Sequence, residues 1–272
     1  MEPIYPIVQG KLDKPLVVII PHPSTYIPSE LEDRLAIEDC EVSRFTDMYA
    51  DELYHEVVNQ GGVLISAPVS RFVVQLNKKI KRTQDGLERD KRESDGAYMK
   101  KSWMGNQVMD PELTEEEMME VFDAIYAPWL QAIDEKVAEA QEKFGYSVLI
   151  DGHSFPSVGT TGKRKNADFI LGTRDFTTAD KKKIKGVLQV LIDGDYLPGV
   201  DSYGWNGGYT TGHYSGLASA DEMMPKGIDP SKAQAIQIEI NKQLYLDEKT
   251  FKKTSGFVKT KDIVSRCLES IS

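Results

Sequence analysis

The chain has 272 residues, a formal net charge of −10 and a pI near 5.0, a length suited to one large core and a charge balance that argues against phosphate-driven binding of nucleic acid. Two cysteines, Cys40 and Cys267, are too few for a disulfide scaffold and are not spaced as a zinc ribbon. The start, Met1 to Pro6, lacks the basic and apolar parts of a signal peptide, and no apolar run approaches a membrane span, so a soluble cytoplasmic protein with no membrane partner is expected.

Val8-Gln9-Gly10 and Asp13-Lys14-Pro15 read as an extended arm and a turn. Leu16 to Ile20 is an apolar strand that stops at Pro21-His22-Pro23-Ser24, because proline cannot continue a central strand. Ser29 to Leu35 reads as a short helix capped by Ser29. Phe45 to Val58, with Met48, Leu53, Val57 and Val58 on one face and Thr46 able to cap, reads as an amphipathic helix closed by Gly61-Gly62. Strands are expected at Val63 to Ala67 and at Phe72 to Asn77. From Lys78 to about Asp110 the mixed charge and sparse apolar residues predict a mobile insertion contributing little core and partly covering a site. Thr114 caps a long helix that runs to Gly145 and is kinked or broken at Pro128.

Val148 to Ile150 then leads into Asp151-Gly152-His153-Ser154, a buried strand that delivers chemistry at its carboxyl end. Gly159 to Lys165 is expected as a loop over the site, Asp168 to Thr173 as a strand, and Thr178 to Gly194 as a helix with Ile184, Leu188 and Leu191 on one face. Trp205 to Tyr214 is too rich in glycine for a stable helix and suits a loop or an edge strand. Ala235 to Asn241 alternates with period two, placing Gln237, Glu239 and Asn241 on one face and Ile236, Ile238 and Ile240 on the other. A last helix is expected near Asp262 to Leu268. Strands and helices alternate throughout. The fold expected is α/β, a three-layer sandwich with a mixed, mostly parallel central sheet and helices on both faces, in one domain spanning residues 1–272.

Two histidines at the ends of matching apolar strands, His22 and His153, suggest a metal, and with one carboxylate they would form a three-ligand catalytic set that leaves a position for water. The competing reading is an imidazole that only bonds its neighbouring backbone. His55 sits on a polar helical stretch and is given no role.

The residues quoted, with Thr46-Asp47, Ser70 to Val74, Leu76-Asn77, Gly207-Gly208-Tyr209, Gln237-Ile238-Glu239 and Tyr245 with Asp247-Glu248, resemble the N-formylglutamate amidohydrolases over most of the chain. Each piece alone is weak, and their number and order carry the resemblance. It implies a fold similar to zinc-dependent exopeptidases, with Zn2+ held by His22, Asp47 and His153. It also implies Glu239 as general base and acid, and Arg71 as the cation that polarises the amide carbonyl or holds a substrate carboxylate. Asn77, Lys78, Ser154 and His213 are the implied substrate contacts. The chain departs from the family pattern at Lys78, where an arginine commonly follows the asparagine, at Gln75, where aspartate is common, and at Gly212, where an arginine often follows Gly-Gly-Tyr. Lysine cannot reproduce planar two-point binding of a carboxylate; Lys78, Lys163, Arg164 or His213 are the candidates to compensate.

The implied activity is metal-dependent hydrolysis of the amide C–N bond of a small N-acyl amino acid, N-formyl-L-glutamate being the family's substrate. A related hydrolase of another N-acyl amino acid or small peptide, and a non-catalytic ligand-binding relative, are the alternatives. No feature of the sequence sets an oligomeric state.

Overall fold

A computed structural model describes residues 1–215 and 227–271. Its strands are β1 (Ile7–Gly10), β2 (Leu16–Ile20), β3 (Val63–Ser66), β4 (Ile80–Thr83), β5 (Gly86–Arg89), β6 (Ser147–Phe155), β7 (Phe169–Gly172), β8 (Pro198–Val200) and β9 (Ala233–Asn241), with a further short pair near the C-terminus. The helices are α1 (Ser29–Glu32), α2 (Asp39–Phe45), α3 (Ala50–Tyr54), α4 (Glu56–Asn59), α5 (Glu115–Val121), α6 (Ala127–Phe144), α7 (Lys181–Asp193), α8 (Tyr209–His213) and α9 (Gly256–Ile271).

Among the described residues the central sheet has seven strands in the order β1-β3-β2-β6-β9-β7-β8. The middle four, β3, β2, β6 and β9, are parallel, while β1 and β7 run against their inner neighbours. The expected mixed, mostly parallel sheet between helices is therefore the fold found. Val17, Ile19, Ile65, Leu149 and Ala235 pack on one face with Trp129, Ile133 and Val137 of α6. The other face buries Val18, Ile20, Leu64, Ile150, Ile236 and Ile238 under Leu53, Val57, Leu191, Ile263 and Leu268. A parallel strand covered on both sides must be apolar throughout, which is why β2 and the first half of β6 read as unbroken apolar runs. No helix of the described residues is long and apolar enough to cross a membrane.

Several expectations change. The arm at Val8 is an edge strand, and β8 was not foreseen. Ser29 begins α1 without a side-chain cap. The long helix does start on a reciprocal cap between Thr114 and Glu117, but Pro128 neither ends nor breaks it. Proline has no N–H for the carbonyl four residues back. The helix widens instead into a π turn over Phe122–Tyr126, and the released Ala124 carbonyl accepts from Ile4 N at 2.8 Å.

Phe72 to Asn77 is not a strand. It folds as consecutive turns, with Val73 N donating to Ser70 O and Lys78 N to Gln75 O, so its apolar residues record burial on all sides rather than sheet pairing. The segment after Lys78 was expected to contribute little core. It forms the β4–β5 hairpin and then sends Ala97, Tyr98, Met99, Val108 and Met109 into the main core, because apolar residues scattered among charges were gathered by tertiary contact. Trp205 to Gly208 is loop as expected, and Tyr209 to His213 adds the single turn of α8. The last helix begins at Gly256, earlier than expected.

Candidate active site

The carboxyl ends of β2, β6 and β9 lie side by side, and the chain places its strand-end polar residues there. β6 and β9 pair in register so that Asp151 adjoins Gln237 and His153 adjoins Glu239. Alternation sends Leu149, Asp151 and His153 to one face; the first is core and the last two are buried polar groups at its rim. Gly152, on the opposite face, is required by close packing: an added Cβ would lie 2.5 Å from Ile20 Cδ1 and 3.0 Å from the Tyr54 ring.

Asp47 reaches this rim because the helix expected from Phe45 onward is interrupted. α2 ends at Phe45, Thr46 turns extended and donates its hydroxyl to Val42 O, and Tyr49 adopts φ 62° before α3 starts at Ala50. The break lets Asp47 N donate to His22 O at 2.8 Å. Lys242, just past β9 and 2% exposed, clamps the same bend by donating to Arg44 O at 2.8 Å and Thr46 O at 2.6 Å.

His22, Asp47 and His153 are brought together, each offering a ligand atom within 4.8 Å of the others. Asp47 Oδ2 lies 3.6 Å from His22 Nδ1 and 3.3 Å from His153 Nδ1. Its other oxygen, Oδ1, accepts from Ser154 N at 3.1 Å and Ser154 Oγ at 2.8 Å. Ser154, expected as a substrate contact, is thus engaged in orienting Asp47. Asp151 Oδ1 stands 2.9 Å from His153 Nε2, an ion-pair approach outside hydrogen-bond alignment. A carboxylate behind the outer nitrogen of an imidazole is the usual support of a metal-bound histidine.

Burial and the nearby Arg71 hold His22 well below the ordinary histidine range, leaving a neutral ring. Both its nitrogens are buried without a hydrogen-bond partner among the described residues, which suits a ligand and leaves a plain core histidine unsatisfied. Burial opposes a charged His153, but Asp151 and Asp47 outweigh it and raise its pKa. Burial likewise works against the Asp47 carboxylate, and the two histidines overcome it, keeping Asp47 ionised. Once His153 gives up its proton, two imidazoles and an ionised carboxylate are a donor set suited to a divalent transition metal.

Glu239 is buried, and burial pushes its carboxyl up to about 8, with Asp47 and Asp151 adding to the shift and His153 and Arg71 opposing it. Gln237 orients it, donating Nε2 to Glu239 Oε1 at 3.0 Å while its own Oε1 accepts from Gly207 N at 3.0 Å.

His153, Ser154, Gln237 and Glu239 open onto a cleft of about 480 Å³ whose other walls carry Arg44, Arg71, Asn77, Lys165 and Lys242. Arg71 donates to Phe45 O at 3.2 Å and to Gln75 Oε1 at 2.8 Å, with its guanidinium 4.6 Å from the Trp103 ring centre. Gln75 continues to Gly96 O at 2.7 Å, tying Arg71 to the insertion. Asn77 lines the cleft with its buried Oδ1 unpartnered among the described residues. Lys78 also lines it, ion-paired to Asp95 at 2.7 Å.

His213 lies in α8, stacked on Tyr209 and edge-on to Tyr214, and is not among the residues lining the cleft. Lys163 and Arg164 do not line it either, and Arg164 donates to Gln243 at 2.8 Å. Sequence reasoning missed Asp151, Gln237, Trp103, Lys165 and Lys242 as parts of the site. The alternation that marked Glu239 already put Gln237 beside it; Lys165 ends the loop expected over the site and Trp103 falls in the segment expected to cover it partly, while Lys242 left no local signal.

With this geometry established, the N-formylglutamate amidohydrolase family model matches residues 14–246 of the chain. The chain belongs to that family. The N-formylglutamate deformylase of Pseudomonas aeruginosa is 26% identical over 94% of this chain and 92% of its own length, and that of Pseudomonas putida is 26% identical over 88% and 84%. The N-formylglutamate amidohydrolase structure from Ralstonia eutropha superposes with a TM-score of 0.82 at 22% identity, covering 97% of this chain and 96% of that one, a likeness of fold.

Seen as a member of the family, the chain accommodates its departures locally. Gln75 keeps an acceptor on Arg71 but adds no negative charge. At Gly212 an added Cβ would fall 2.4 Å from the Arg174 guanidinium, which donates to Gly207 O at 2.8 Å and Gly208 O at 2.9 Å. A guanidinium from a different loop thus occupies the space beside Gly212.

Proposed function

We propose that this chain is a metal-dependent amidohydrolase that splits the amide C–N bond of N-formyl-L-glutamate with water, giving formate and glutamate. The observation that carries the reading is the joining of a buried His-Asp-His donor set to an adjacent carboxyl, Glu239, with His153 and Glu239 both lining a cleft walled by cations. The names of the two deformylase relatives support the substrate. The cleft is cationic although the chain as a whole is acidic, so a dianionic substrate is drawn to this point of the surface.

His22, Asp47 and His153 would hold one divalent ion, for which zinc is the best fit to two imidazoles and a carboxylate. Bound there, it would supply an acidified water and a Lewis acid for the formyl oxygen. In its ionised form, Glu239 takes a proton from the attacking water and returns it to the glutamate nitrogen as the C–N bond breaks. Gln237 holds that carboxyl in position from below. Arg71, fixed by Phe45 O, Gln75 and Trp103, presents its charge to the developing oxyanion. Asn77 offers its unpartnered Oδ1 to the substrate N–H. Ser154 acts through Asp47 as a positioning residue.

The test is formate release from N-formyl-L-glutamate by zinc-loaded protein, beside a panel of other N-acyl amino acids and short peptides. Loss of formate release on chelation and its return on adding zinc is the expected result. Binding without turnover across the whole panel would make the chain a non-catalytic relative.

A further inference from the structure

The cations around the cleft differ in how their charge is occupied. Lys78, in the place of the family's arginine, has its ammonium 2.7 Å from Asp95 Oδ1, so that pair contributes no net charge. Lys242 spends two donors on backbone carbonyls at the bend that carries Asp47, and Arg71 is braced against Phe45 O and Gln75. Lys165 is held differently. Its Nζ lies 4.7 Å from the ring centre of Trp205 and 5.4 Å from that of Phe155, and the two rings stack at 5.0 Å. Its one hydrogen bond is to Pro156 O at 3.0 Å, and no carboxylate among the described residues pairs with it.

An ammonium has three donors, and aromatic faces stabilise a cation without using any of them. Two donors of Lys165 are therefore free in a cleft that also contains His153 and Glu239. Burial lowers the Lys165 pKa, and nearby Glu239 and Glu248 only offset this, the pattern of a cation that lacks a close counter-ion. Phe155, which carries one of the two rings, is the last residue of β6, two beyond His153. The platform is thus built from the strand that bears the site.

We propose that Lys165 is a specificity-determining residue that binds the substrate carboxylate remote from the scissile amide, a role from which the Asp95 pair withdraws Lys78. This rests on the hydrolase reading above and deepens it: the cleft selects an acidic N-acyl amino acid over its neutral amide counterpart. Calorimetry on zinc-loaded protein with L-glutamate and L-glutamine, the product and its uncharged analogue, tests the residue without relying on turnover.

Wild type is expected to prefer glutamate by roughly ten- to hundredfold, the range for one hydrogen bond to a charged group. Lys165→Met is expected to abolish that preference, and Lys165→Arg to restore most of it. Lys165→Gln, polar and uncharged, serves in place of Lys165→Met should the latter lose its fold by circular dichroism. An equal preference in the wild type and the Met or Gln variant, or no preference in the wild type, overturns the proposal. Glutamate preference that depends on Lys165, in a protein that hydrolyses no N-formyl amino acid, would uphold the residue and refute the reaction.

Discussion

His153 and Glu239 stand in register on the adjacent parallel strands β6 and β9, one a candidate metal ligand and the other the candidate base. Parallel neighbours sit about 4.8 Å apart along the hydrogen-bonding direction. Both side chains can therefore address one small molecule seated in the cleft they line, without movement of either strand. Burial of the carboxyl raises the Glu239 pKa, and the neighbouring His153 opposes that shift.

Replacing Glu239 by glutamine keeps the bond to Gln237 and removes the proton acceptor. Metal content and glutamate affinity are expected to stay within a few-fold, while kcat falls by roughly a hundredfold or more, the usual scale for loss of a general base. Single-turnover kinetics with metal analysis on the same sample make the comparison. Near-normal turnover would return Glu239 to the status of an ordinary buried strand residue.

Metal affinity is expected to fall with each of the three donors. His22→Ala or His153→Ala should remove stoichiometric zinc as read by elemental analysis, and Ser154→Ala, which removes the hydroxyl bond to Asp47 Oδ1 and leaves only the backbone one, should weaken it by about tenfold. In the wild type, zinc at about a hundred times its Kd should add roughly 2.7 kcal/mol of stability. Full zinc occupancy in the His153→Ala protein would discard the assignment.

Gln75→Ala leaves Arg71 Nη2 and Gly96 O without their shared partner. Urea denaturation should show a loss of about 1–3 kcal/mol, the scale for stranding buried polar groups. Because Arg71 is no longer braced, kcat/KM should also fall at unchanged zinc content. A variant as stable and as active as wild type would mean that Arg71 is held by Trp103 and Phe45 alone.

Asp134 provides a pH prediction away from the site. Burial raises its carboxyl to about 6, and the hydrogen bond from Tyr214 only partly opposes this. A carboxyl whose folded pKa exceeds its unfolded value binds its proton more tightly when folded. Its contribution is complete below about pH 4 and is lost as pH rises through about 6. The shift of about two units corresponds to about 2–3 kcal/mol. Asp134→Asn should therefore be more stable than wild type at pH 7.5 and close to it at pH 4. Parallel denaturation curves for the two proteins at both pH values, with equal differences, would contradict this.

What the sequence determined by itself was the arrangement of buried faces. The unbroken apolar run of Leu16 to Ile20 marks a strand covered on both sides, and the period-two pattern of Ala235 to Asn241 assigns Glu239 to one face. The halts at Pro21-His22 and at Asp151-Gly152-His153 show where those strands deliver polar groups. Such features are local, because a side chain's face follows from the geometry of its own element. Tertiary structure decided which charges are free and where the helix near Thr46 breaks. Lys242 clamps that bend from 196 residues away, Asp95 neutralises Lys78 across 17 residues, and Trp103 reaches Arg71 from within a segment that reads as solvated. Periodicity reports that a residue is buried. Which partner meets it there depends on contacts between distant segments, and in this cleft those contacts separate Lys165, with two donors open, from Lys78, already paired.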